Sequence, residues 1–320
     1  KISGNTSFLY TSNYSEVPYQ FAKINKKALG MAILGAHMSI AGGYHKAVER
    51  AAELGCDCVQ IFTKSTTQWR APPITSEQAR QFRQTIDRYG IVHPNGHDSY
   101  LVNLASPKKR LRHRSIDALV EELHRAELLG LGWLVLHPGA YLEGDVSDGL
   151  KRVIQAFQEV FRQTAGLQVG CLVETTAGQG TNLGFRFEHL AEILAHCPAP
   201  ERMGVCFDTC HVFAAGYPLS PRKAFEATVQ EFDRLVGLDQ IRIVHLNDSL
   251  RPCGSRVDRH AHIGQGQIGL EPFRWLLQDS RFQHIPMYLE TPKGTAPDGQ
   301  DWDRKNLALL RQLAEANKKS

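Results

Sequence analysis

The chain has 320 residues, of which 42% are hydrophobic and 22% charged, proportions that exclude a disordered or fibrous protein and fit a folded one. No apolar run is long enough to span a bilayer, so no membrane partner is expected, and a formal net charge of +4 permits nucleic-acid binding without arguing for it. Seven cysteines, an odd number scattered through apolar segments, read as reduced intracellular thiols; Cys206 and Cys210 read as packing residues, and Cys56 and Cys58 stand too close for a zinc knuckle.

Residues 1–30 are rich in Ser, Tyr, Asn and Lys, show no sustained period, and contain neither an apolar h-region nor any Arg. They read as an N-terminal extension, disordered or non-native and open to a targeting role, ahead of one folded domain over 31–320. From Met31 onward strand and helix patterns alternate. Strand signals cover 33–38, 58–63, 91–97 (interrupted by Pro94), 133–137, 169–175, 204–209, 241–247 and 286–290. Helix signals lie between and after them: a stretch from the Gly42-Gly43 turn to Glu53, then 76–89, 115–129, 149–164, 187–195, 222–236, a short one over 271–278, and 303–316. The basic run 108–114 opens the third of these and reads as a solvated face sooner than as a phosphate contact. Strands alternating with helices imply a parallel sheet, and eight units in one chain favour an α/β fold of the closed (β/α)8 TIM-barrel type. Gly178-Gln179-Gly180 is too short for a dinucleotide fingerprint.

In such a barrel the active site lies at the carboxyl ends of the strands. Here those ends carry His97, His137, Glu174, Asp208 (with His211 one turn on), His245 and Glu290. Asp258 and His260 follow strand seven in a Gly-rich loop, and in an extended segment residues two apart point the same way. A lone strand-end His is most often a structural hydrogen-bonder. Imidazoles and carboxylates crowded on one rim, however, are costly to bury without a positive partner. Divalent metal is the economical one, zinc by donor type, with manganese as an alternative. At about three protein ligands per catalytic zinc, the nine groups supply roughly three ions, and clustered divalent ions suit a phosphoester.

Several stretches then match a known family: Gly35-Ala36-His37, His97-Asp98-Ser99-Tyr100-Leu101-Val102-Asn103-Leu104, His137-Pro138-Gly139, Glu174-Thr175-Thr176-Ala177-Gly178-Gln179-Gly180, Asp208-Thr209-Cys210-His211, His245-Leu246-Asn247-Asp248, the run 254–260 and Leu289-Glu290-Thr291. From Met31 to its end the chain resembles the endonuclease IV family of zinc-dependent abasic-site endonucleases. The resemblance implies a first zinc on His97, His137 and Glu174. Glu174 bridges to a second, held also by Asp208, His245 and Glu290, and a third lies on His211, Asp258 and His260. It implies Glu174 as the catalytic carboxylate and hydrolysis of the phosphodiester 5′ to an abasic site. The products are a 3′-hydroxyl and a 5′-deoxyribose phosphate, and 3′-end phosphodiesterase activity accompanies the cut.

The same resemblance makes double-stranded DNA the partner. It places Tyr100 and Leu101 at the wedge positions and Gln68 and Trp69 in the second-strand loop. Arg256 and Arg259, beside the metal loop, read as phosphate contacts. Thr67 stands where some members carry an Arg wedge, so the way the vacated stack is filled departs from that pattern. A cytoplasmic, nucleoid-associated monomer is the expectation, with manganese as a substitute at one metal position. Two rivals are a metal-dependent sugar isomerase or epimerase on a related barrel, against which the extra His97, His137 and Asp258/His260 argue, and a non-catalytic DNA-binding protein.

Overall fold

Eight parallel strands close into a barrel in the computed structural model, which describes residues 32–315. They are β1 (Leu34–Met38), β2 (Cys58–Phe62), β3 (Val92–His97), β4 (Trp133–Leu136), β5 (Gly170–Glu174), β6 (Met203–Asp208), β7 (Ile241–His245) and, after a small antiparallel ribbon of β8 (Asp248–Ser249) and β9 (His260–Ala261), β10 (Met287–Leu289). The barrel order is β1-β10-β7-β6-β5-β4-β3-β2, so the chain runs round the wall once and β10 closes on β1. The TIM-barrel expectation is met. The assignment of residues 1–30 to an extension concerns positions outside the described residues, as are 31 and 316–320.

The helices pack outside. They are α1 (Tyr44–Glu53), α2 (Ser76–Tyr89), α3 (Lys109–Leu129), α4 (Val146–Gln163), α5 (Phe187–Ala195), α6 (Thr209–Ala215), α7 (Arg222–Leu235), α8 (Leu270–Gln278) and α9 (Trp302–Glu315). Their apolar stripes explain the packing. In α4, Leu150, Val153, Phe157, Val160 and Phe161 recur every three or four residues and are all buried, each worth about 1.5–3 kcal/mol of transfer free energy. Asp145 starts that helix by accepting the Asp148 N–H at 2.8 Å, and Thr75 with Gln78 forms a reciprocal capping box at the start of α2.

Three boundaries differ from the sequence expectation for identifiable reasons. Helix α3 begins at Lys109 instead of 115, because its first turns carry exposed Lys109, Arg110, His113 and Arg114 and so show no apolar stripe until the helix meets the core. Helix α6 follows β6 without a loop; it was hidden because Asp208 serves both as the last strand residue and as the helix N-cap, accepting the His211 N–H at 2.8 Å. The β8–β9 ribbon is too short to show a period.

Strand β3 holds a bulge that matters to the rim. The β2 register advances from Cys58 to Gln60 while β3 advances from Val92 to Asn95, and His93 sits at φ 47° beside Pro94. Beyond the bulge, alternation puts Asn95 and His97 on one face. Asn95 donates to the Tyr288 hydroxyl inside the barrel, among Cys58, Val135, Leu172, Cys206 and Ile243. His97 therefore also points inward, one layer higher.

Close strand approach makes Gly35 irreplaceable. A Cβ there would lie 2.0 Å from the Cys58 carbonyl oxygen, a backbone atom that cannot rotate away, whereas a Cβ at Gly132 meets nothing nearer than 3.8 Å. Gly35→Ala is expected to cost about 2–4 kcal/mol, a Tm drop of roughly 5–10 °C by thermal melt, with Gly132→Ala close to the parent. Equal melting temperatures for the two variants would contradict this account of barrel closure.

Candidate metal centre

All nine donors anticipated from the sequence meet at the carboxyl-terminal mouth of the barrel. His97, Glu174, Asp208 and His245 are the last residues of β3, β5, β6 and β7; His137 directly follows β4, and Glu290 directly follows β10. His211 lies in the first turn of α6 and His260 in β9. Asp258 is carried in by the loop between β8 and β9. That loop is closed at its base by the Leu250 N–H donating to the Arg259 carbonyl at 2.9 Å, and the segment after β9 is held back onto β8, where the buried Asp248 carboxylate accepts N–H groups from Gly264, Gly266 and Ile268 at 3.0 Å each. At its other end, Gly254 and Arg256 donate backbone N–H groups to Phe213 and Ala214.

The donor atoms fall into three groups, each within 4.8 Å: His97, His137 and Glu174; Glu174, Asp208, His245 and Glu290; and His211, Asp258 and His260. Glu174 belongs to two of them through different oxygens. Its Oε2 lies 3.2 Å from Nε2 of both His97 and His137, and its Oε1 lies 3.0 Å from His245 Nδ1. The other carboxylates close the groups. His245 Nδ1 stands 3.3 Å from Glu290 Oε2 and 3.7 Å from Asp208 Oδ2, and Asp258 reaches His211 Nε2 at 3.1 Å and His260 Nε2 at 3.4 Å.

Hydrogen bonding decides what these ring nitrogens offer. A carbonyl can only accept, so Nδ1 of His97, His211 and His260 must donate to the carbonyls of Asp98, Thr175 and Glu290 at 3.0, 2.9 and 3.2 Å. Gln60 Nε2 donates to Glu290 Oε1 at 2.6 Å, which leaves Gln60 Oε1 to accept from His245 Nε2 at 2.9 Å. The remaining nitrogen of each neutral ring is then a lone pair aimed at a carboxylate or at another lone pair. His211 Nε2 and His260 Nε2 face each other at 3.4 Å in this way. Such contacts repel unless a cation lies between them. Tetrahedral zinc with bonds of about 2.0–2.1 Å separates its ligands by roughly 3.3–3.4 Å, inside the 3.0–3.7 Å range of the donor–donor distances here. The residues fit a divalent metal.

Burial opposes the charges of His97, His211, His245 and Glu174, and mutual attraction overrides it. The carboxylates of Asp98, Glu174 and Glu290 hold His97 well above the ordinary imidazole range against its burial. Asp208, Asp258 and Glu174 do the same to His211, and Glu290, Glu174 and Asp208 raise His245. Glu174 is held well below the carboxylate range by His245, His137 and His211 despite complete burial. A site that drives imidazoles to take up protons is one that calls for positive charge, which a bound ion supplies without them. The nearby cysteines are poor ligands by comparison. Burial and then the Asp208 carboxylate push the Cys210 thiol up to about 12, and burial with Glu174, Asp208 and Glu290 pushes Cys206 well above its ordinary value.

Comparison with known proteins now separates the possible families. The sequence model of the xylose isomerase-like TIM barrel matches residues 48–313. A probable endonuclease 4 of Geobacter sp. is 45% identical over 285 residues, 89% of this chain and 100% of that one. A probable endonuclease 4 of Chloroflexus aurantiacus is 50% identical over 285 residues, 89% of this chain and 99% of that one. The crystal structure of endonuclease IV from Thermus thermophilus superposes with a TM-score of 0.78 at 38% identity, covering 88% of this chain and 99% of that one. The chain belongs to the endonuclease IV family. Within the broader barrel superfamily, the sugar isomerase reading is not favoured.

In this member of the endonuclease IV family the side chains expected at DNA differ in what they present. Tyr100 is 71% exposed on the rim, its ring edge-on to Phe62 at 5.6 Å and 6.3 Å from His97. Leu101 is half-buried beside it, and Gln68 is exposed. Trp69 is half-buried against the core, with the Arg114 guanidinium 4.4 Å over its ring, so it anchors its loop as well as bordering the rim. Arg256 is exposed and stacks on Phe185 at 4.1 Å; exposed Arg259 bonds the Asp258 carbonyl.

Sequence reasoning assigned no role to three residues that orient the donors. Gln60 links His245, Glu290 and His37, and Asn247 donates to Asp208 Oδ2 at 2.6 Å while accepting the Glu290 N–H at 2.8 Å. His37, from the Gly35-Ala36-His37 match, lies 3.3 Å from Glu290 Oε1. A fully polar Gln inside the apolar run Cys58–Phe62 was the available signal.

If cations hold these lone pairs together, their removal leaves buried carboxylates without counter-charge. Protein stripped by a strong chelator and verified metal-free by elemental analysis should melt roughly 10 °C lower than zinc-replete protein, the stabilisation expected of a ligand at about a thousand times its Kd. An unchanged melting temperature would remove the case for metal in this cluster.

Proposed function

We propose that this chain hydrolyses the phosphodiester 5′ to an abasic site in double-stranded DNA, with zinc as its resident metal and three ions per chain. As a member of the endonuclease IV family it is a DNA-cleaving hydrolase of DNA repair. The finer reading rests on one observation above all: Glu174 turns its two oxygens to two separate donor sets, and a third set of His211, Asp258 and His260 lies directly beside them.

Zinc held there would supply positive charge to the phosphate oxygens and acidify water for attack. The chain's own residues do the rest. Glu174, buried and approached on each oxygen by imidazoles, fixes the spacing between the first two donor sets. Asp208 spends Oδ1 on capping α6 and keeps Oδ2 toward the cluster, so the helix start and the ligand are positioned together. Asn247 and Gln60 hold the outer sides of Asp208, His245 and Glu290, which limits the rotamers open to each.

Recognition of a missing base needs no base-edge contact. Extruding the sugar costs least where nothing is stacked or paired, and an exposed aromatic can occupy the vacated stack. Tyr100 is such a group, kept at the rim by Phe62 and His97. Among the described residues Thr67 bonds no further than the Ser65 hydroxyl at 3.2 Å, so filling the gap falls to Tyr100 and Leu101 in place of a cationic side chain. Arg256 and Arg259, exposed next to the Asp258 and His260 donors, offer charge to the flanking phosphates.

The test uses a labelled duplex with one tetrahydrofuran abasic analogue, which cannot undergo β-elimination. A nick on the 5′ side leaving a 3′-hydroxyl is expected, with Glu174→Gln slower by more than about 100-fold. No nick by folded, zinc-replete protein would sink the reading. His260→Ala should carry about two zinc ions per chain where the parent carries about three, by elemental analysis. Tyr100→Ala should raise KM for the abasic duplex by roughly tenfold or more, the usual worth of one stacked base; an unchanged KM would take Tyr100 out of the contact.

A further inference from the structure

Beneath the two loops that border the rim lies a buried ion pair that the metal cluster does not use. Glu122 of α3 and Lys64, which follows β2, are each only 1% exposed at the side chain, with Lys64 Nζ 3.5 Å from Glu122 Oε1. Each group also reaches into a loop. Glu122 Oε1 accepts the Ser99 N–H at 3.1 Å, and its Oε2 accepts the Thr63 hydroxyl at 2.8 Å. Lys64 donates to the Trp69 carbonyl at 3.0 Å. Ser99 completes the join: its hydroxyl donates to the Thr66 carbonyl at 2.8 Å and accepts the Leu101 N–H at 3.3 Å.

Loop 65–70 and loop 99–101 are thus tied to each other through Ser99 and hung from one carboxylate–ammonium pair. Stability alone does not account for that pair, since apolar residues of similar volume generally serve a core as well or better than buried opposite charges. Geometry does. A carboxylate can bond Ser99 and Thr63 at once, and an ammonium on a long stem can cross to the Trp69 carbonyl. Tyr100, at the tip of the second loop, is exposed and has ring contacts but, among the described residues, no hydrogen bond to hold it, so its position follows from the backbone on either side.

We propose that Glu122, with Lys64, is a positioning residue for substrate: it locks loops 65–70 and 99–101 into one preorganised unit that engages the DNA around the lesion. This rests on the proposed function for those loops. Preorganisation lowers the cost of ordering on binding, so its loss weakens binding of the duplex while leaving the hydrolytic cluster complete.

The experiment compares Glu122→Gln, Lys64→Met and the double variant with the parent, all verified zinc-replete. Each single variant should raise KM for the tetrahydrofuran duplex about tenfold, with kcat within about threefold and zinc content unchanged. Hydrogen exchange should speed up in both 65–70 and 99–104, whichever partner is replaced. The double variant removes the mismatched charge left by either single one, so its Tm should recover while KM does not, because the bond to the Trp69 carbonyl stays lost. Parent-like KM in the folded single variants, exchange that changes in only one loop, or KM recovering together with Tm would each overturn the proposal. If Glu122→Gln does not fold, Lys64→Met alone carries the same expectations. A parent enzyme that never nicks abasic DNA would instead refute the proposed function, and the exchange coupling of the two loops would still read out the Glu122 hub.

Discussion

One fully buried carboxylate sets the terms for the rest of this molecule. Glu174 has no solvent to stabilise its charge, yet four imidazoles from four different segments approach within 3.0–3.2 Å of it. A barrel is a natural place to meet such a demand. Its strands all point the same way, so their last residues arrive on one rim from every side, at spacings fixed by the ladder and not by flexible loops. The cost is a concentration of charge that no apolar core tolerates, and the chain meets it by giving His97, His211, His245, His260, Asp208 and Glu290 a second partner on the outer side.

Those outer partners show how finely the rim is oriented. His97, His211 and His260 each give their Nδ1 proton to a backbone carbonyl, and His245 gives its Nε2 proton to Gln60. Tautomer and ring orientation are therefore set by backbone and barrel-wall groups before any ion or substrate arrives. Asp208 is the most economical instance. One oxygen begins α6, which brings in His211, and the other faces the cluster, so strand end, helix start and two donors are coupled through a single side chain.

What could be read in the sequence follows the same division. The nine donors were legible because each sits at the end of an apolar run or in a distinctive short motif, and period plus position is the kind of information a linear chain carries. The architecture was legible for that reason too. Gln60 and Asn247 were not, since their importance comes from reaching His245 and Asp208, partners 185 and 39 residues away. Glu122 was harder still. On the helical pattern alone it is one more charged residue among Glu121, His124 and Glu127, and only the three-dimensional path of the two rim loops shows that its carboxylate lies between them. The start of α3 was misplaced for a related reason: the turns that project past the core carry charge, and charge has no period to detect.

The rim then divides into two mechanical classes. Donors on strand ends inherit the rigidity of the closed barrel, where a glycine such as Gly35 is needed merely to let neighbouring strands approach. Tyr100 and Gln68 lie on loops and have no such frame of their own, yet a wedge of the kind proposed for Tyr100 works only if it is already aimed. On the proposed function, Thr67 offers no long cationic side chain, so more of the recognition would fall on the aim of Tyr100 and Leu101. A buried ion pair under those loops transfers barrel rigidity to them: Thr63 and Lys64 lie directly beyond β2, Glu122 lies in the third turn from the end of α3, and Ser99 links both to the exposed aromatic. Retaining opposite charges in the wall, where apolar residues would pack at least as well, makes physical sense as the means of giving an exposed loop the precision of a strand.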